Sequence, residues 1–407
     1  MAFLSLFKRR IYADWAATTP LHPDVAQAMK RARKAWANPS AIHAEGVAAK
    51  RALEASRSSV ARLIGTKPEE VYFMSGGTEA NATIIQGVLR TKLEKGMPPN
   101  KIHVVTTAIE HSSVMETLGI FETHGVRVTR VAPGADGVVR GDDVLAAITP
   151  DTALVTCMYA NNEIGTIQPV SKIGAGIRKI RAERLGKEDA ADAEFPVFHV
   201  DASQAPLWLS CEIEGLRADA MTLDAHKMQG PKGVGALIVR RRVSWEPLMA
   251  GGGQERGKRP TTESVELVAG FAEALKVAQE KREERSRCAT AIRDYFFAQI
   301  AERLPDAVIN GSKEKRLPNN ANISLPNISD PEFAVIQLDA QGIACSTKSS
   351  CLKGEESSYV VAAILAAEKS GVAASAWRAR NTLRFTFAPD AVRRDVSTIV
   401  KALELIK

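Results

Sequence analysis

Three short stretches place reactive side chains at the ends of apolar runs. Residues 75–81, SGGTEAN, follow the run 71–74 and open a segment of helical period. Two glycines let a backbone close on an anion, and Thr78 adds a hydroxyl beside the free amides of a helix start, so Gly77 and Thr78 read as a phosphate cradle without the lysine of a P-loop. Residues 199–204, HVDASQ, put Asp201 just past an apolar strand, where open α/β sheets bind ligands. An acid there either caps a helix or pairs with a heterocyclic nitrogen and keeps it protonated, with Gln204 free to bond a ring substituent. Residues 224–235, DAHKMQGPKGVG, set Lys227 after a run ending at Leu223 and before a glycine-rich turn. In a pocket such a lysine can lose its proton and form a Schiff base. Each stretch alone has an ordinary structural explanation. Cradle, acid and lysine in this order, each at the C-terminal end of a strand, are together the parts that hold pyridoxal phosphate.

The elements that must carry these groups follow from hydrophobic period. Runs at 71–74, 102–106, 126–131, 153–159, 197–200, 220–223 and 235–239 are rich in β-branched residues and read as strands. Helical segments at 76–87, 112–124 and 170–182 alternate with them, which predicts an α/β layer on a mainly parallel seven-stranded sheet. After Gly251, Gly252 and Gly253 a long amphipathic helix over 265–297 leads into short strands at 322–325, 343–346 and 382–387. The expected division is a large cofactor-binding domain, 12–262, and a smaller α+β domain, 263–407, with residues 1–11 a candidate to pack on the latter. The polar stretch 183–194 reads as an exposed insertion.

Composition bounds the alternatives. The 407 residues carry 54 Lys and Arg against 47 Asp and Glu, a net charge of +7, with basic residues scattered among acids as on solvated helix faces. That pattern suits solubility or acidic partners better than nucleic acid. Five cysteines are too few and too irregular for a disulfide framework or a CxxC metal knuckle, so no metal site is expected and a reducing, cytoplasmic setting is. At the N-terminus, MAFLSLFKRR puts its apolar stretch before its basic residues, the reverse of a secretory signal, and no apolar run reaches the ~18 residues needed to span a bilayer.

Over nearly its whole length the chain resembles the cysteine desulfurases of the class V aminotransferase group. The likeness is carried by YADWAATTP, NPSAIHAEG, SGGTEAN, IEHSSV, NNEIGTIQPV, HVDASQ, AHKMQGPKGVGAL, GGGQERGKRPTT and TLRFTF. The resemblance implies fold type I and pyridoxal 5'-phosphate bound covalently by Lys227, with Asp201 on the pyridine nitrogen and Gln204 on the phenolic oxygen. His111 would stack on the ring with Asn161 beside it. Gly77, Thr78, Asp224 and His226 would surround the phosphate, and Thr262 would reach the phosphate of a partner subunit, implying a homodimer. Arg384 would clamp the carboxylate of L-cysteine, a bidentate task that suits guanidinium. Cys351, in a loop of small polar residues at 344–358, would take the sulfur as a persulfide, leaving L-alanine, and pass it to an acceptor protein of iron-sulfur assembly or tRNA thiolation. Cys345, in the apolar run GIAC, reads as a buried strand cysteine.

Two positions depart from that family's pattern. Where Asp224 stands the family usually has a hydroxyl that donates to the phosphate, whereas an ionised carboxylate repels a dianion. Either Asp224 turns away and pairs with Lys232 or Arg259, which is the preferred expectation, or it faces the phosphate and cofactor affinity is weakened. At Lys348 the family usually has glycine. These departures leave a selenocysteine lyase, another paralogue on the scaffold, or a non-catalytic sulfur-relay subunit as alternatives, although such a relay would need none of Lys227, Asp201, His111 and Cys351.

Overall fold

The computed structural model describes residues 10–185, 195–328, 330–347, 357–368 and 372–406. A first strand, β1 (Ile11–Tyr12), is followed by the seven of the main sheet: β2 (Val71–Met74), β3 (His103–Thr107), β4 (Arg127–Val131), β5 (Thr152–Met158), β6 (Val197–Asp201), β7 (Ala220–Asp224) and β8 (Gly235–Val239). They lie in the order β2-β8-β7-β6-β5-β3-β4, all parallel except β8, which runs against both its neighbours. Every residue of β5, β6, β7 and β8 is buried, as strands covered by helices on both faces must be, while the edge strand β4 exposes most of its residues. The strands fall within one residue of the positions that hydrophobic runs predict at nearly every end.

Because β2 leads straight into the Gly77–Glu94 helix, that helix begins at the C-terminal edge of the sheet. Its Ala80, Ile84, Ile85, Val88 and Leu89 pack against sheet residues such as Leu154, Val197 and Leu237. Asp201 ends β6 and Asp224 ends β7, so the same edge receives both carboxylates, and the turn Ala225–Lys227 follows directly.

The single long helix expected over 265–297 is instead two, Val265–Glu280 and Arg282–Arg303, which meet at Lys281. Their apolar faces serve different cores: Val268, Phe271, Leu275 and Ala278 join the cluster beneath the main sheet, whereas Phe296, Phe297 and Ile300 join Ile323, Phe385 and Ile399. The second helix keeps Ala289 in the first cluster before it turns to the second core, and the break itself falls in the charged run 280–285.

The C-terminal layer contains β9 (Val308–Ile309), β10 (Asn320–Ser324), β11 (Ile343–Ala344) and β12 (Thr382–Thr386), with β10 between β9 and β12 in an antiparallel sheet. β1 pairs in parallel with β11, and Ala13 is buried in the core of this layer. The start of the described chain is therefore stitched to its end, which brings Asp14 beside β12.

Candidate active site

A cavity of about 180 Å³ opens at the C-terminal edge of β6 and β7, and Gly77, His111, Asp201, Gln204, Lys227 and Arg384 are among the residues lining it. Lys227 sits one turn past β7 and reaches across to the 16–17 segment, its Nζ donating to the carbonyls of Ala16 and of Ala17, the latter at 2.7 Å. Gln204 Nε2 donates to the same Ala16 carbonyl at 3.0 Å. The YADWAATTP segment thus positions both side chains.

The floor is a connected polar chain. Asp201 Oδ1 accepts from the amide and hydroxyl of Ser203, and Oδ2 accepts from Asn81 Nδ2 at 2.7 Å. Asn81 Nδ2 also donates to Ser113 Oγ at 2.9 Å, and His111 Nδ1 accepts from the Ser113 amide. That last bond makes Nδ1 an acceptor and leaves His111 Nε2 to carry any proton of the neutral ring. Behind Asp201, His199 is held between the hydroxyls of Thr156 and Thr222; burial drives its pKa down to about 4 against the opposing pull of Asp201, so it stays neutral.

At the far wall Arg384, 2% exposed on β12, donates from one terminal nitrogen to Asp14 Oδ1 at 2.8 Å and from the other to the Asn162 carbonyl at 2.9 Å. Ser346 exchanges backbone hydrogen bonds with Arg384. Cys351 and Lys348 lie outside the described residues, as do residues 186–194 of the polar stretch at 183–194, whose first residues close the Val170–Leu185 helix. The chain beyond Cys351 is anchored near the same wall: Ser358 Oγ donates to Glu163 Oε2 at 2.6 Å, and the Tyr359 hydroxyl donates to the Glu110 carbonyl.

Two expected placements change. Asn161 is fully buried and does not line the cavity; its Oδ1 accepts from the Glu163 and Ile164 amides and its Nδ2 donates to the Ile109 carbonyl, so it shapes the NNEIG turn while Asn162 faces the cavity. Asp224 does not pair with Lys232 or Arg259. Arg259 is engaged by Glu79, and Asp224 Oδ2 instead accepts from the Gly77 amide at 2.8 Å and lies 3.3 Å from His226 Nε2. The helix amide and the imidazole are closer to the end of β7 than either cation. Thr262 is exposed and does not line the cavity. Cys345 is buried with its thiol pushed up to about 12, mainly by burial, and Cys157 and Cys211 are core residues.

Sequence reading missed Asp14, Asn81, Ser203 and Asn162. All four lie inside motifs already singled out, yet nothing in their spacing distinguishes the three that line the cavity, or Asp14 that holds Arg384, from a neighbour. Four buried side-chain atoms lacking a partner belong to cavity residues: Asn81 Oδ1, Asn162 Oδ1, Asp224 Oδ1 and Arg384 Nε. Buried polar groups are normally satisfied, so these atoms fit a site that takes a polar ligand. Among the described residues no cluster of His, Cys, Asp and Glu could hold a metal, and no helix is long and apolar enough to cross a membrane.

Residues 11–399 match the aminotransferase class-V family model. A cysteine desulfurase IscS from Dictyoglomus turgidum is 35% identical over 401 residues, covering 98% of this chain and 95% of the relative. One from Stutzerimonas stutzeri is 37% identical, covering 93% and 88%. Among solved structures, a NifS-like protein superposes with a TM-score of 0.85 at 30% identity, over 98% of this chain and 99% of its own. SspA in complex with cysteine gives 0.75 at 29% identity, over 94% and 100%.

Proposed function

Since the chain belongs to the class-V aminotransferase family, among its cysteine desulfurases, we propose that its cavity binds pyridoxal phosphate and L-cysteine and that Cys351 receives the sulfur. The observation that carries this reading is the convergence of Lys227, Asp201 and Arg384 on one cavity whose buried polar atoms lack partners. The ring and carboxylate ends fit the cofactor and substrate well; the phosphate end offers the Gly77 amide, Thr78 at its open edge and His226, with Asp224 among them.

When bound, pyridoxal phosphate supplies an electrophilic carbonyl carbon and an electron sink for bonds at the substrate's Cα and Cβ. Lys227 Nζ anchors it and, once released, carries the proton to and from Cα. Asp201, fixed by Asn81 and Ser203, holds a proton on the heterocyclic nitrogen. His111, oriented by Ser113, would lie against the ring, and Gln204 would hold the ring oxygen. Arg384 takes the carboxylate of cysteine, offering its free Nε. The thiolate of Cys351 attacks the substrate sulfur; an S–S bond forms as the C–S bond breaks, the electron pair goes to carbon, and that carbon takes a proton to become the methyl group of alanine. Cysteine plus a thiol becomes alanine plus a persulfide, with no external oxidant. Cys351 lies four positions beyond Thr347, a reach of at most about 14 Å from a segment already paired with Arg384.

The sulfur then passes to an acceptor protein, an iron-sulfur scaffold or a tRNA-thiolation carrier, and the enzyme works in the cytoplasm as a homodimer to which exposed Thr262 contributes across the interface. Two variants test the assignment. Lys227→Ala should bind the cofactor without a borohydride-reducible linkage and make no alanine. Cys351→Ser should keep the linkage and the spectral response to cysteine yet form no persulfide. Normal alanine release by Cys351→Ser would transfer the sulfur step to another residue.

A further inference from the structure

The end of the cavity that should receive the phosphate already contains an anion. Asp224 is 7% exposed, and its Oδ2 takes the Gly77 amide, the first free donor at the start of the Gly77–Glu94 helix. His226 Nε2 approaches the same oxygen at 3.3 Å. A methyl group added at Gly77 would meet Asp224 Oδ2 at 3.0 Å, so the carboxylate lies directly on the glycine turn. Its other oxygen, Oδ1, is buried without a partner while Asp224 lines the cavity. Burial alone would raise the carboxyl's pKa, but His226, the Gly77 amide and Lys227 outweigh it and hold the group below its usual value.

We infer that Asp224 is an internal occupant of the phosphate cradle: in the cofactor-free protein its carboxylate holds the Gly77 amide and His226, and a phosphorylated cofactor must displace or protonate it to load. This deepens, and rests on, the reading of the cavity as a pyridoxal phosphate site. Two consequences follow. Asp224 selects against phosphate at the cradle without affecting the ring, so its effect is confined to phosphorylated ligands. A dianion brought against the carboxylate favours its protonated form, so loading takes up a proton and affinity falls as pH rises.

The other charged groups facing Asp224 define that response. His226 and Lys227 from its own turn favour the carboxylate, Glu79 on the Gly77–Glu94 helix is neutralised by Arg259, Asp201 ends the neighbouring strand, and Lys232 lines the adjoining recess. His226 Nε2, 3.3 Å from Asp224 Oδ2, makes the close ion-pairing approach among them.

Equilibrium binding to the full-length apoprotein between pH 6.5 and 8.5 tests the inference, with three probes: pyridoxal phosphate, pyridoxal, and inorganic phosphate. Pyridoxal shares the carbonyl and the ring, so every pH effect at Lys227 and Asp201 is common to both aldehydes. The range stays above the second phosphate ionisation near pH ~6. In Asp224→Ser and in the isosteric Asp224→Asn, pyridoxal phosphate should bind at least about tenfold more tightly at pH 8, pyridoxal should change less than about threefold, and inorganic phosphate should gain affinity. The wild type should lose affinity for pyridoxal phosphate relative to pyridoxal as pH rises, and both variants should flatten that difference. Equal affinities for pyridoxal phosphate in wild type and both variants, or an equal gain for pyridoxal, would overturn the inference while leaving the cofactor site intact. Failure of both aldehydes to bind any of the three proteins would instead overturn the cofactor reading, and this inference with it.

Discussion

The two ends of the cavity solve the problem of an anion site differently. At one end Arg384, a buried cation, meets Asp14 and still keeps Nε without a partner. At the other, backbone and imidazole donors meet Asp224, and it is the carboxylate oxygen that lacks a partner. A guanidinium has five N–H donors, so one carboxylate cannot exhaust it, whereas a single helix amide is largely taken by one oxygen. The first end is ready for an anion and the second is already occupied by one. An internal carboxylate therefore has opposite consequences depending on whether its partner is a full charge with spare donors or a dipole with few.

The largest expected effect comes from removing the cation. Arg384→Ala should raise the KM for cysteine about 100-fold or more, since a charge-assisted bidentate contact is lost. It should also destabilise the fold, because Asp14 then faces no cation at a largely buried position. Pyridoxal phosphate affinity should be nearly unchanged. Steady-state kinetics beside a cofactor titration separates the two ends, and a parallel loss of both affinities would show that they are one unit.

A smaller effect is expected from the matching change of the internal carboxylate. Asp14→Asn keeps an acceptor for Arg384 and removes only the charge, so the KM for cysteine should fall about three- to tenfold while thermal stability drops. The gain should be less than that of Asp224→Asn toward pyridoxal phosphate, since Arg384 already has a donor to spare. An unchanged KM would mean that Asp14 orients the guanidinium without competing for it.

The same contrast explains what was legible in the sequence. The cradle end is built from two stretches whose order and position after strands could be read directly, and Gly77, His226 and Lys227 lie where those stretches predict. Asp224 reads as a misfit, but its partner depends on whether the end of β7 lies nearer a helix amide or Lys232 and Arg259, a question of ångströms that spacing does not answer. Arg384 could be assigned only by resemblance, because its environment is assembled from Asp14, Asn162 and Ser346, up to 370 positions away. That Asn162 rather than Asn161 lines the cavity has the same origin: adjacent asparagines are equivalent in a motif, and only the fold of the turn decides which one faces inward. Lys281 shows the limit of periodicity, which follows one apolar stripe through the break between two helices.

A third carboxyl sets the reference for the other two. Glu110, fully buried beside His111, accepts only from the Thr107 hydroxyl and the Met158 amide, through Oε1, and faces no cation among those contacts. Burial, opposed by those two bonds and reinforced by Asp201, drives its pKa up to about 8, the reverse of Asp224. Near neutral pH Glu110 is thus protonated in the folded protein and ionised in the unfolded chain, which makes the native state the greater proton binder. Its contribution to stability is full below pH ~4.5 and falls by about 1.4 kcal/mol per pH unit at most, until it is lost above the folded pKa. Glu110→Gln retains the Oε1 acceptor and cannot ionise, so it should flatten the decline in stability between pH 5 and 8 while leaving pyridoxal phosphate affinity within about twofold of wild type. Denaturant unfolding at several pH values measures this. A variant whose stability keeps the wild-type slope would show that Glu110 is already ionised in the fold, and that burial among hydroxyl and amide donors holds a carboxylate as well as the imidazole beside Asp224 does.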